Sequence, residues 1–420
     1  MTFTRTYGIA VLAGMLMTVA GGCEHTSPHR SNAATDDLPR PVRTLAMSDL
    51  RTAVSLEPSG AFPKGWVKTP AAPRVIRKGE SADTATYREG SGFTFLINSM
   101  LRPRLVRMDS GRLVLVATAW LHETYVETGF YIVSDDKGVT WTEPKELMHG
   151  NIVNLGGKKL LILGDNGNSV FSDDAGDSWS EPIRNLPLAD GHIPFFHGSV
   201  LVEGASVYTV NGAAGYDPPG FAGSFLRRSD DAGRTWGEPV HIPAYWDPSS
   251  SQFHGFSEGS ITRAANGDMV VAVRTGAADG FANYNDHWRR IVIFRSPDDG
   301  KTWEDGIVYF DYGVVHSDLL TLPNGDIVMT YAVRIGELDG CVYHGIEAVI
   351  SHDHGKTWDW ANRYYLFRWN MHESTHSPQS VLLADGRILT TFLYPVDAPW
   401  GKRTTPVNIG LVDALYWKPW

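Results

Sequence analysis

Ser134-Asp-Asp-Lys-Gly-Val-Thr-Trp141 (SDDKGVTW) decides the reading of this chain, because it returns four more times: SDDAGDSW from Ser172, SDDAGRTW from Ser229, SPDDGKTW from Ser296 and SHDHGKTW from Ser351. Every copy has Asp two residues after the Ser, Gly four after and Trp seven after. A self-similar unit of this kind settles the architecture before any single element is assigned. Physically the octad is a hairpin loop. The Asp accepts hydrogen bonds from the turn backbone, the Gly supplies a positive φ, and the Trp packs its ring beneath. The five aspartates are therefore read as structural, with no part in chemistry.

Between the octads runs a second unit, an apolar strand broken by a turn glycine. Its copies are RPRLVRMDSGRLVLVA from Arg102, FFHGSVLVEGASVYTV from Phe195, FSEGSITRAANGDMVVAV from Phe256, VVHSDLLTLPNGDIVMTY from Val314 and SPQSVLLADGRILTTF from Ser377, with a weaker one, NIVNLGGKKLLIL, from Asn151. Six strand–turn–strand units and five octads give an all-β fold, a six-bladed β-propeller whose last blade lacks an octad. Residues 84–98 are expected to close that blade against residues 408–417, since a ring needs a clasp to remove its sheet edges.

The totals agree. Of 420 residues, 42% are hydrophobic and 43 are glycine, enough for a core and for many tight turns. A net charge of -10 argues against a nucleic-acid partner, which would call for a basic stripe. Residues 1–23 read as an export signal, with Arg5 as the positive n-region, an apolar stretch from Gly8 to Ala20 and small residues before Cys23. That apolar run is too short to span a bilayer. Cys23 stands where bacterial lipoproteins carry their lipidated cysteine, so an exported, membrane-anchored lipoprotein is expected, touching the membrane only through that lipid. Residues 24–58 have the composition of a tether, and residues 59–420 form the propeller. Cys341 is the one other cysteine, so acylation of Cys23 leaves no intramolecular disulfide.

Octads of this form in a propeller resemble the sialidase superfamily, over nearly all of the chain after about residue 85. Blade four carries the more specific likeness. SEGSITRAANGDMVVAVRTG resembles the sialidase segment in which a Glu opens an inner strand and an Arg follows sixteen residues later, here Glu258 and Arg274. The resemblance implies a Glu that pairs with a tyrosine nucleophile, and an arginine that is one of three gripping a substrate carboxylate. Arg102 stands nine residues before Gly111, as Glu258 stands nine before Gly267, which puts both at one height on innermost strands. Arg102 thus resembles the first arginine of that family, with Arg104 as its rival. The family's acid/base aspartate maps onto Glu123, eleven residues before Ser134, with Glu127 nearby.

Two departures stand out. The last blade reads THSPQSVLLADG where a sialidase would place its tyrosine ahead of the strand, offering His376 and Ser377 instead; Tyr331 or Tyr394 would have to swing in. Blade five puts His316 nine residues before Gly325, and the third arginine is missing from CVYHGIEAVIS, leaving Arg334 as a substitute that mirrors Arg274. The funnel is expected to hold Arg102, His197, Glu258, Arg274, His316, Arg334 and His376. Guanidiniums converging on one point bind a carboxylate bidentately, so an acidic sugar is the natural ligand.

Three functions follow. The first is sialidase-like hydrolysis, with Glu123 protonating the leaving oxygen and Glu258 serving the opposite face. The second is hydrolysis or elimination at a uronate, with His316 or His376 as base. The third is glycan capture without turnover. Neither a cofactor nor a metal site is indicated, and a monomer acting on a glycan is expected. Glu258→Gln and Arg274→Ala are expected to abolish turnover and leave the melting temperature nearly unchanged.

Overall fold

Each strand–turn–strand unit closes on its glycine. Gly111, Gly267, Gly325 and Gly386 have φ between +79° and +96°, where a side chain would be strained. The structure, a computed structural model, describes residues 74–76, 95–98, 103–121, 126–142, 145–189, 191, 193–196, 198–212, 224–242, 257–274, 291–304, 306–308, 314–335, 343–369, 376–395 and 409–419. The export signal, Cys23, the tether and Cys341 lie outside them.

Among the described residues six antiparallel sheets are formed. Blade one comprises Arg104–Arg107, Leu113–Leu121, Val126–Ser134 and Lys145–Leu147; blade two, Gly150–Gly156, Lys159–Gly164, Asn168–Ser172 and Ile183–Arg184. In blade three the innermost strand is split into Phe195–Phe196 and Leu201–Glu203, both against Ser206–Gly212, followed by Phe225–Ser229 and Val240–His241. Blade four is Ser257–Arg263, Met269–Arg274, Ile291–Ser296 and Ile307–Val308. Blade five is Val314–Thr321, Ile327–Ile335, Tyr343–Ser351 and Arg363–Trp369; blade six is His376–Leu382, Ile388–Pro395 and Ile409–Trp417.

Blade six takes its fourth strand from the other end of the chain. Phe95–Asn98 pairs antiparallel with Ile409–Val412, the clasp expected from the sequence. Arg74–Ile76 was not expected to pair. It adds a fifth strand to blade five, with Ile76 opposite Arg363.

Apolar strand faces are buried between blades rather than in one central mass. Six clusters sit at the six seams, one of which joins Leu105, Leu113 and Leu115 of blade one to Leu389, Leu393 and Val412 of blade six and so closes the ring.

The octads seal these seams. In the copy from Ser296, the Ser296 hydroxyl donates to Asp298 at 2.9 Å, Gly300 N–H donates to Ser296 Oγ at 2.7 Å, and Thr302 donates through N–H and hydroxyl at 2.8 and 2.6 Å to the same carboxylate. The other four repeat this pattern. Hydroxyl and backbone donors hold Asp136 and Asp174 ionised, down to about 2. The octad glycine is needed twice over. At Gly233 and Gly300 the φ is +85° and +82°, and a Cβ would collide with Leu161 or Leu226 of the preceding blade. Each octad tryptophan likewise packs into the seam with the preceding blade: Trp141 on six and one, Trp179 on one and two, Trp236 on two and three, Trp303 on three and four, Trp358 on four and five. Blade six has no octad, because its third and fourth strands are not consecutive in the chain. Its seam with blade five is filled from within, by Trp417 against Tyr364 and by Phe367 against Phe392.

Candidate functional site

Glu258, His316 and Ser377 each stand nine residues before a turn glycine, on the innermost strands of three successive blades. All three have left-handed backbone, with φ of +45°, +51° and +47°. At each the hairpin register slips, between Ser257 and Gly259, Val315 and Asp318, and His376 and Gln379. A bulge at one height in three neighbouring blades turns three side chains at the same end of the ring, and non-glycine residues held in this region are costly features that cluster at functional sites. Gly259 beside Glu258 lets blade three come close: a Cβ there would meet Val210, and one on Gly198 would meet the Gly259 carbonyl.

The bulge brings an ionic cluster together. Arg274 ends the second strand of blade four directly opposite Ser257. Its Nη1 lies 2.5 Å from Glu258 Oε2, and His316 Nδ1 lies 2.8 Å from that same oxygen. All three side chains are nearly buried, at 8–11% exposure. Glu258 is thereby fixed in place, and His316 presents Nδ1 to a carboxylate, which leaves Nε2 as the nitrogen turned away from it. A histidine oriented through one nitrogen by a carboxylate is arranged to move a proton at the other.

One layer deeper, Arg104 and Asp318 are both buried, each seven residues before its turn glycine. Burial pushes the Asp318 carboxyl up to about 7, against the pull of the Ser380 N–H, Arg104 and Ser199. The Ser380 N–H donates to Asp318 at 2.7 Å and the Leu105 N–H to Gln379 at 2.8 Å, so side chains of this layer clasp each next blade. Arg104 therefore shares this deeper layer with Asp318, close enough for its charge to act on that carboxylate, below the level of Glu258.

Arg102, Glu123 and His197 lie outside the described residues. The strands of Arg334 and His376 are placed, but their side chains are not among those described. Register revises the match proposed for Arg334: Ala332 pairs with Val315 next to the blade-five bulge, as Arg274 pairs with Ser257, so Arg334 sits two residues further along. In blade six the bulge falls on Ser377, with His376 in the place of Ser257. The nine-residue offset already contained that assignment. Tyr331 cannot swing in as a nucleophile: it is wholly buried in the seam of blades four and five and donates its hydroxyl to Glu347 at 2.7 Å, with Arg363 Nε 3.5 Å from that oxygen.

The comparisons with known proteins agree on the fold. Residues 163–335 match the BNR repeat-like domain family. Among curated proteins no relative matches. A Dyadobacter fermentans protein of unknown function superposes with a TM-score of 0.57 at 20% identity, over 83% of this chain and 99% of that one. An α-L-arabinanase of Penicillium chrysogenum, complexed with arabinobiose, gives 0.50 at 13% identity over 84% and 98%. The NanB sialidase of Streptococcus pneumoniae gives 0.53 at 13% over 75% and 68%. The protein is a six-bladed β-propeller that matches the BNR repeat-like family over residues 163–335 and is similar in fold to the arabinanase and the sialidase.

Proposed function

We propose that this propeller is a glycosidase that removes a terminal sugar from a glycan, an acidic sugar as in a sialidase, from an exported position tethered through Cys23. The observation that carries the reading is the Glu258 carboxylate, set on a strained bulge and gripped by Arg274 and His316. The arabinanase and the sialidase with this fold act on sugars, which supports the reaction class. In this reading Glu123 protonates the glycosidic oxygen as the C–O bond breaks, while Glu258 attacks the anomeric carbon or directs water to it. Arg102 and Arg274 take the sugar's carboxylate, with Arg334 reaching toward it from two residues further along its strand than Arg274.

The Glu258–His316 contact favours a second reading, in which His316 removes a proton beside a uronate carboxyl and the glycosidic oxygen leaves by elimination. Fluorophore release from aryl glycosides separates the two. Release from an aryl sialoside, abolished by Glu258→Gln, supports hydrolysis of an acidic sugar; release from an aryl arabinofuranoside alone moves the substrate to a neutral one. New ultraviolet absorbance from acidic polysaccharide, without fluorophore release, supports elimination. Silence in every assay would overturn the enzymatic reading.

A further inference from the structure

The seam between blades five and six is the one that no octad covers, and on its octad side lies a cavity of about 770 Å³. It is far from Glu258. Its lining comes from the turn at Leu322–Asp326, the octad of blade five, the residues after Trp358, the turn at Gly386 and the end of the last described strand. Elsewhere around the ring this is the place where an octad tryptophan lays a flat ring over the seam.

We propose that this cavity binds a neutral pyranose unit of a glycan, as a second carbohydrate site independent of the funnel and of the hydrolytic reading. Its floor is apolar and partly aromatic, from Leu322, Ile350, Leu382 and Tyr364. Its rim is polar and pre-set. Asn324 donates to Asp326 at 2.7 Å, His352 Nδ1 meets the other Asp326 oxygen at 2.9 Å, and Asn362 donates to Asp359 at 3.0 and 2.8 Å. Side chains locked in this way lose little entropy on binding, and their remaining lone pairs and N–H groups suit a ligand edge made of hydroxyls. A sugar ring offers that combination, one face of C–H groups for the apolar floor and a rim of hydroxyls that both donate and accept. A plain aromatic ring would strip water from the polar rim and return nothing. The charges choose between sugars: two carboxylates, Asp326 and Asp359, outweigh Lys418, so the cavity disfavours the carboxylated sugar that the funnel would take.

Saturation-transfer NMR on the full chain, with lactose, maltose and cellobiose as probes, tests this. Transfer to at least one of them is expected, and it should persist in Glu258→Gln, which separates this site from the funnel. Leu382→Trp would plug the cavity and abolish transfer. If that variant does not fold, His352→Ala with Asn362→Ala thins the rim and should weaken apparent affinity about tenfold, the loss of roughly one or two hydrogen bonds. The proposal is overturned if none of the three sugars receives transfer. It is equally overturned if transfer vanishes in Glu258→Gln, or survives undiminished in the rim variant.

Discussion

At the scale of single residues, the ionic cluster changes what substitution should do. A funnel arginine reaching for substrate could be removed at little cost to the fold, but Arg274 is almost buried against Glu258. Arg274→Ala leaves that carboxylate without its guanidinium in a poorly hydrated site, so thermal denaturation should show a loss of about 3 kcal/mol beside the loss of turnover. Ser377 makes the opposite case. Its φ of +47° is strained for serine, and Ser377→Gly should hold or raise stability by about 0.5–1 kcal/mol in a chemical denaturation series. A clear loss would mean that its side chain holds the bulge together. Much of this site was legible: Glu258, Arg274 and His316 come together from blades the sequence had already ordered. Burial was not. The nine-residue offset shows which residues share a height, yet it cannot show that Tyr331 faces a seam, or that the charge of Arg104 acts on a buried Asp318 a layer below.

At the scale of elements, the octads carry their own explanation, since each demand on the loop is visible in its spacing. The Gly must be left-handed, and at Gly300 it must also be bare because Leu226 of blade three abuts it. Gly300→Ala should cost about 2–4 kcal/mol, more than backbone strain alone explains, and Leu226→Ala in the same chain should recover part of the loss. Paired melting curves would show whether the two changes are coupled; strict additivity would dissociate the glycine from the seam. The strand Arg74–Ile76 was illegible for a simple reason. Three residues in a polar stretch present no alternation, and an edge strand is recruited by its neighbour's unpaired backbone rather than by its own pattern.

At the scale of the whole molecule, two sets of carboxylates pull stability in opposite directions with pH. Asp136 and Asp174 titrate near 2 in the fold, below the ordinary 3.8, so what they contribute is complete above about pH 4 and is lost as pH falls toward 2. Asp318 is raised to about 7, so the folded protein holds that proton more tightly than the unfolded chain, and stability declines as pH climbs from about 4 through 7. The melting temperature should therefore peak on the mildly acidic side, near pH 4–5. Asp318→Asn should flatten the alkaline limb and gain roughly 1–3 kcal/mol at pH 8. A wild-type maximum above pH 7 would show that Asp318 stays charged at little cost. Deleting residues before 77 should spare the ring, since blade five keeps four strands, whereas deletion through 98 should abolish cooperative unfolding. The same joint between chain ends imposes a timetable on biosynthesis. Phe95–Asn98 leaves the ribosome more than three hundred residues ahead of Ile409–Val412, its sheet partner among the described residues, so the wheel cannot shut until that strand has been made, and the nascent polypeptide carries an unmatched edge until then.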